Sequence, residues 1–577
     1  MPADKNEIQA IREAREKWEK GTLRKGMERL GLKEPMVSFF TPADLEGHDF
    51  LENVGFPGEF PFTAGRHAIP IHLPFWGRGK TLGGGKTIRH AFGYAGYGTA
   101  EDMRDYYIER GKTGVRGGGP NIAFDLPTQT GYDSDDELAE GEVGRVGVAV
   151  DTLQDFETIY EPFVGDMELD KIASNWTINA TTNVILAMYV ALAQKRGIPL
   201  DKLRGTPQND ILKEFVARGT HIFPIQHSMR MVRDTFTYCS EHLPNLNTIS
   251  ICGYHMREAG ATRVQAVAFA FANAIAYFEL ALGAGLQIDA FAPKTTFLNF
   301  GGGMEVLKEA AVRRAARRVW AKIMRDRFGS KDPRNWIYKE LGGGLTGYWP
   351  MTIQRPLNNL VRVVVGAVFA AMIGEPPACE PPYDEPLGLG HSIEARQLAA
   401  DASRIIVEEC KLCDVQDVFA GSYYVESLTN RYEKEILDLI AKIDEMGGAV
   451  KAVESGWMKD QIIQSAREYQ RRVETGEEVR VGVNKYTEPD EIEIRIPRTS
   501  PYKAERREDA EERQIAKLRK IKAERDNEKV RACLERIENA ARDEKANLIP
   551  FFVDAVKAYA TVGEICRVLR GIFGEVH

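Results

Sequence analysis

The chain has little cysteine, little histidine and no long uninterrupted apolar stretch. Its seven cysteines are scattered over 577 residues, which is not the dense pattern of a disulfide-stapled fold. Cys410 and Cys413 make one C-x-x-C, but no second pair completes a zinc site, and I-I-V-E-E-C-K-L-C-D reads as a helix with buried thiols. The ten histidines show no ligand spacing on one strand or helix, so no metal site is expected and a metal-dependent hydrolase is disfavoured. No apolar run reaches the roughly 20 residues that a bilayer needs. The opening M-P-A-D-K-N-E-I-Q-A lacks the apolar centre of a signal peptide, so a cytoplasmic location without membrane contact is expected. A net charge of -8 argues against a nucleic-acid partner.

Phosphate-cradling loops are also missing. G-G-G-K-T (Gly83 to Thr87) has Lys80 where such a loop needs a further glycine. G-G-G-L-T-G (Gly342 to Gly347) fits G-x-G-x-x-G but runs into Y-W-P instead of a helix, which excludes a dinucleotide site.

What is present is a repetition of short apolar strands and longer helices, on a composition 43% hydrophobic and 28% charged. Strand candidates are N-I-A-F-D-L from Asn121, I-A-S-N-W-T-I-N from Ile172, the junction at Gln208, T-I-S-I-C-G-Y-H from Thr248, I-D-A-F-A-P-K-T-T from Ile288, and N-W-I-Y-K-E-L from Asn335. Helix-forming sequence follows each, as parallel strands joined by crossovers require. Small or hydroxylated residues, Ser174, Thr177, Thr248, Ser250, Thr295 and Thr296, recur in these strands; threonine is a common strand former, and in a closed barrel the same residues would fit a wet or threaded interior. Ahead of this region, residues 4 to 31 are charged and helix-prone, and Pro35 to Lys86 reads as an extended belt. Behind it, 490 to 545 reads as a long solvated helix of alternating charge, followed by short apolar helices. The implied divisions are 1-85, 86-480 and 481-577.

Two strand-to-helix junctions stand out, G-T-P-Q-N-D-I-L-K-E-F-V-A-R (Gly205 to Arg218) and N-T-I-S-I-C-G-Y-H-M-R-E-A-G-A (Asn247 to Ala261). A histidine can hydrogen-bond a carbonyl and share a proton with it near neutrality, and an arginine can grip a carboxylate. Both junctions resemble the methylmalonyl-CoA mutase family of adenosylcobalamin-dependent acyl-CoA mutases. So do F-P-G-E-F-P-F-T (Phe56 to Thr63), F-D-L-P-T-Q-T-G-Y-D-S-D (Phe124 to Asp135), F-A-P-K-T-T-F (Phe291 to Phe297) and R-A-A-R-R-V-W-A-K-I-M (Arg314 to Met324), in family order.

The resemblance implies an α/β fold: a (β/α)8 TIM barrel, with an N-terminal extended arm and a C-terminal helical extension contacting a small subunit. It implies a radical carbon-skeleton rearrangement of a coenzyme A thioester. His255 matches the histidine that hydrogen-bonds the thioester carbonyl, and Gln208 the glutamine that holds substrate or the adenosyl ribose. Arg218 falls where methylmalonyl-type enzymes bind the free carboxylate. Tyr254, Thr87 and Arg89 match substrate-facing positions, and Asn247, Lys294 and Thr296 match positions contacting coenzyme A. Phe124, Glu258 and Glu385 correspond to cofactor-facing positions. The family's D-x-H-x-x-G, which brings the cobalt ligand, is absent from this sequence. Adenosylcobalamin is therefore expected on a separate small subunit, in a heterotetramer of two large and two small chains.

The sequence also departs from the family. T-I-R-H-A-F-G-Y-A-G-Y-G-T-A-E (Thr87 to Glu101) is three residues longer than the family stretch carrying a substrate-wedged tyrosine, leaving Ala91 or Tyr94 for that place. Glycines stand at 301 to 303 and 342 to 344, where the family carries bulk. These departures favour a 2-substituted malonyl-CoA with a side group larger than methyl, aromatic side groups such as benzyl included. Methylmalonyl-CoA and ethylmalonyl-CoA remain open, as does a catalytically silent subunit, which should have lost His255 and Arg218.

Overall fold

A computed structural model describes residues 5–34, 39–69, 96–112, 119–298, 300–341, 344–387, 393–487 and 509–576. Six parallel strands overlap the six expected segments: β1 (Asn121–Ala123), β2 (Ser174–Thr177), β3 (Gly205–Pro207), β4 (Ile249–Cys252), β5 (Thr295–Leu298) and β6 (Glu340–Leu341). The fifth segment, however, is helical over Ile288–Phe291 and a 3-10 turn over Ala292–Lys294, so its strand starts only at Thr295, and the sixth is strand in its last two residues alone. They form two three-stranded sheets, β1-β2-β3 and β4-β5-β6. Hydrogen bonds from Asn247 N to Gly205 O and from Ser250 N to Gln208 O, each 2.9 Å, carry the ladder from the first sheet to the second. A bridge between Phe124 and Val148 extends it beyond β1. The molecule is thus a helix-rich α/β fold with strands in sequential order.

Close strand approach has a local cause at Gly205, where a Cβ would stand 2.2 Å from the Ser174 carbonyl oxygen. The register sets Asn175 beside Thr206 and Ser250 beside Thr296, so the alternating faces of the strands differ in chemistry. Thr177, Thr206, Gln208, Thr248, Ser250 and Thr296 share the polar face, whereas Trp176, Ile249, Ile251 and Phe297 turn toward the helices. Two of the six small residues expected inside do not belong there. Ser174 donates to Tyr189 of the helix Thr182–Lys195 (3.4 Å), and Thr295 pairs in register with Ile249.

The helix Thr182–Lys195 is apolar on nearly every side because it is enclosed: Tyr189 packs on Trp176 of β2 (4.8 Å), and the helices Ile549–Lys557, Leu153–Ile159 and Ile225–His242 cover the rest. Arg263–Gly283 is, among the described residues, the one helix long and apolar enough to cross a bilayer. Its neighbours account for that composition, since it packs against Ile225–His242, Val306–Lys322 and Tyr423–Glu445.

On Val306–Lys322 four arginines are buried, each against its own carboxylate. Arg313 meets Glu340 (2.6 Å), Arg314 meets Asp417 (2.9 Å) and Glu426 (2.7 Å), Arg317 meets Glu375, and Arg318 meets Glu433 (2.7 Å). Glu375 also binds Arg66 of the belt (2.7 Å). Burial would raise its pKa, but Arg66, Arg317 and Arg313 together hold it at about 2.

The charged C-terminal stretch differs from the single solvated helix expected. Residues 490–508 lie outside the described residues, and 509–545 forms two helices, Ala510–Glu524 and Asn527–Arg542, parted where Asp526 caps the second by accepting from Lys529 N (3.0 Å). Each has a buried face, with Gln514 and Leu518 on the first and Val530 and Ile537 on the second. Lys517 reaches Asp155 (2.7 Å), and Arg230 donates to the carbonyls of Ala540, Ala541, Asp543 and Ala546 at 2.5 to 3.2 Å. The C-x-x-C also differs from expectation: Cys413 is buried, but Cys410 is exposed after a π-helical turn, and all seven cysteines are free.

Candidate active site

The two junctions singled out in the sequence come together, joined by a carboxylate. Asp210, just beyond β3, is fully buried and accepts from Cys252 N at the end of β4 (2.7 Å) and from the Tyr277 hydroxyl (2.7 Å). Burial raises its carboxyl to about 6 even beside the Lys213 ammonium. This bond ties the backbone under Gln208 to the backbone that leads into Tyr254 and His255.

After β3 the chain makes a single α-helical turn, Ile211–Lys213, then a π-helical turn, Glu214–Arg218, ended by Gly219 at φ 89°. Ile211 to Arg218 is helical as expected, but the π turn changes which side chains meet. Lys213 is completely buried, with its ammonium on Gln208 Oε1 (2.6 Å) and on the adjoining Glu214 carboxylate. Asn179, beyond β2, donates to both Gln208 Oε1 (2.8 Å) and Glu214 Oε1 (2.6 Å). Thr220 donates to Glu214 Oε2 from its backbone (3.1 Å) and its hydroxyl (2.7 Å). Burial would raise Glu214, but the Lys213 and Arg218 charges outweigh it and hold the carboxyl below its usual range.

With Oε1 of Gln208 taken by two donors, its amide N–H groups are what it offers a ligand. Arg218 is one-quarter exposed and anchored through Nη1 alone, to Gln129 Oε1 (2.6 Å), Glu214 Oε1 (3.4 Å) and Thr220 Oγ1 (3.4 Å). Its Nη2 and Nε hydrogens are uncommitted among the described residues.

His255 lies in the short helix Tyr254–Glu258, packed against the π turn. Its Nδ1 is enclosed and has no hydrogen-bond partner among the described residues. Burial, then the Lys213 and Arg218 cations, push its pKa well below the ordinary 6.5. The imidazole is therefore neutral at physiological pH and acts as a hydrogen-bonding group, instead of sharing a proton near neutrality. The Tyr254 ring meets the His255 ring edge-on at 5.1 Å. Glu258, at the end of the same helix, accepts from Trp349 N (3.1 Å), and burial pushes its carboxyl up to about 7.

The remaining expected residues are spread more widely. Asn247 donates to Thr206 Oγ1 (2.8 Å) and Thr296 to Ile249 O (3.2 Å), both along the polar face of the strands. Lys294 precedes β5, and its carbonyl accepts from Thr248 N (2.9 Å). Phe124 is wholly buried with its ring stacked on Phe156, so its carbonyl, which accepts from Gln129 (2.5 Å), is its link to the site. Glu385 opens a 3-10 turn, Glu385–Leu387. Tyr94, Ala91, Thr87 and Arg89 lie outside the described residues. Gln129, Asn179, Lys213, Glu214 and Thr220 belong to the network but form no spacing motif; their signal was polar side chains within otherwise apolar junctions.

Two of the glycines taken to leave room, Gly302 and Gly344, do not leave it, whereas a Cβ on Gly303 would meet nothing nearer than 3.5 Å. A Cβ on Gly302 would stand 1.6 Å from Leu345 O, and one on Gly344 2.6 Å from Ala378 O. A Cβ on Gly347 would meet Glu258 Oε1 at 3.1 Å and Gly302 N at 3.2 Å. Gly302 and Gly347 let two loops close on each other at Glu258, so these tight positions give no support to a bulky side group. Gly342 and Gly343 lie outside the described residues.

Parallel strands whose ends present an amide, a neutral imidazole and a tethered guanidinium describe an acyl-binding α/β enzyme. The methylmalonyl-CoA mutase family model matches residues 32–575. The 2-hydroxyisobutanoyl-CoA mutase large subunit of Aquincola tertiaricarbonis is 38% identical over 544 residues, 94% of this chain and 91% of that one. The methylmalonyl-CoA mutase of Escherichia coli is 38% identical over 535 residues, 92% of this chain and 70% of that one. A probable mitochondrial methylmalonyl-CoA mutase of Caenorhabditis elegans is 39% identical over 91% of this chain and 67% of its own length. The chain belongs to the methylmalonyl-CoA mutase family and is an isomerase of the acyl-CoA mutase type.

Proposed function

We propose that the chain is the large, catalytic subunit of an adenosylcobalamin-dependent mutase that converts a 2-substituted malonyl-CoA into a substituted succinyl-CoA. The observation that carries this reading is Arg218, a guanidinium anchored on one nitrogen beside Gln208 and the π turn that packs against His255. Near-equal identity to relatives of different named substrates does not choose between them, so the acyl class rests on this residue. The free nitrogens of Arg218 bind the second carboxylate in a bidentate pair. Neutral His255 and the Gln208 amide face the thioester end, where fixed hydrogen-bond donors stabilise charge developing on the carbonyl oxygen as the thioester group migrates.

Adenosylcobalamin, when bound, supplies the hydrogen-abstracting radical. The Glu258 carboxyl, near its midpoint at neutral pH, suits a polar group arriving at this mouth. Glu258 would be the residue to meet it, with Glu385 and Phe124, whose ring is buried, as the further candidates. We read the six strands as part of a closed eight-stranded barrel whose polar face receives the pantetheine arm. A small cobalamin-binding subunit completes the site in a cytoplasmic heterotetramer; of this reading, the existence of a smaller partner chain is supported by the "large subunit" in the name of the Aquincola relative.

The test is turnover of the assembled enzyme on methylmalonyl-CoA, ethylmalonyl-CoA, benzylmalonyl-CoA and isobutyryl-CoA. Malonyl-type thioesters should be converted, and their order sets the size of the side group. Conversion of isobutyryl-CoA with none of the three others overturns the reading.

A further inference from the structure

Gln129 lies outside both junctions, in the short helix Leu126–Thr130 that follows β1, yet it makes the shortest bond to Arg218. It is 2% exposed, and its amide is held at both ends. Nε2 donates to Phe124 O (2.5 Å), which leaves Oε1 toward Arg218 Nη1 (2.6 Å). The reversed amide would set an NH2 group against the guanidinium, so the network fixes the orientation.

The anion near Arg218 is Glu214, four residues earlier on the π turn, at 3.4 Å. A committed arginine–carboxylate bond lies nearer 2.7–2.9 Å. Glu214 also has donors enough without Arg218: Lys213, Asn179, and the backbone and hydroxyl of Thr220. Arg218 is therefore held short of full pairing, and the group that holds it is a neutral acceptor, which leaves its charge unspent.

Building on the malonyl-type reading above, we propose that Gln129 is the positioning residue that lets this site select acyl chains bearing a second carboxylate. It keeps the Arg218 guanidinium off Glu214 and its two free nitrogens turned to substrate. Without it, a movement of about half an ångström commits the guanidinium to Glu214 and weakens its hold on a ligand anion.

The test is the affinity of the full-length chain for two thioesters, methylmalonyl-CoA and isobutyryl-CoA, which differ in the carboxylate. Gln129→Met, close in volume but without the acceptor, should weaken methylmalonyl-CoA binding about tenfold to hundredfold, the range for a lost bond to a charged group. Isobutyryl-CoA binding should stay within about twofold. Should the Met variant not fold, Gln129→Glu gives the same split, because its carboxylate neutralises Arg218. Equal weakening of both thioesters would mean a merely structural role and overturns the proposal. Arg218→Gln is measured alongside. If it weakens methylmalonyl-CoA binding and neither Gln129 variant does, the proposal fails while the carboxylate reading stands. If Arg218→Gln has no effect, the carboxylate reading falls with it.

Discussion

Lys213→Met isolates what a buried cation does under an active site. Lys213 is fully buried, and its ammonium is shared between Gln208 Oε1 and Glu214. Breaking a buried pair from one side costs about 3–5 kcal/mol, mostly because the remaining charge is left uncompensated. Glu214 keeps Asn179, Thr220 and the distant Arg218 as donors, so the lower end applies, about 3 kcal/mol at pH 7.5. The dependence on pH gives the mechanism away. In the parent protein Glu214 sits below its ordinary 4.5, so its contribution is fully present above pH 4.5 and is lost as pH falls through the depressed value. In the variant burial dominates and the carboxyl rises above 4.5. The ionised form then costs stability at neutral pH, and the cost shrinks as acid protonates it. Urea denaturation of both proteins from pH 5 to 8 should show the difference narrowing toward pH 5, and adding Glu214→Gln should recover part of the loss at pH 7.5. A loss under about 1 kcal/mol, or one independent of pH, would refute the reasoning.

Two further outcomes follow from the same physics. Glu258, raised from 4.5 to about 7, contributes stability that is full below pH 4.5 and lost as pH rises through 7, so Glu258→Gln should gain on the parent at pH 8 by about 2–3 kcal/mol, read as a shift in urea midpoint. Arg230→Met removes a donor shared by four backbone carbonyls at and just beyond the end of Asn527–Arg542, and limited proteolysis should release the 510–576 helices faster than from the parent.

The strands were legible because each alternates briefly and then runs into helix-forming sequence, and Gln208, Arg218 and His255 stood out as polar groups at strand ends. The layer beneath them was not legible. Lys213 and Glu214 read as an ordinary charged pair opening a helix; only the π turn after Lys213 sends both inward, and no residue in I-L-K-E-F announces it. Gln129 was visible inside F-D-L-P-T-Q-T-G, but its bond to Arg218 spans 89 positions, a distance that no local pattern encodes. The glycines at 302 and 344 misled for a general reason: glycine marks either open room or a backbone too close for a side chain, and the neighbours decide. At 302 the neighbour is the Leu345 carbonyl.

The four guanidiniums of Val306–Lys322 are answered by carboxylates from β6, from position 375, from the turn at 417 and from the helix Tyr423–Glu445. That arrangement works as a key with several teeth, since a chain docked out of place would bury cations with nothing to meet them. Such a segment tolerates replacement of a matched pair far better than of either member alone, so its positions can drift only two at a time.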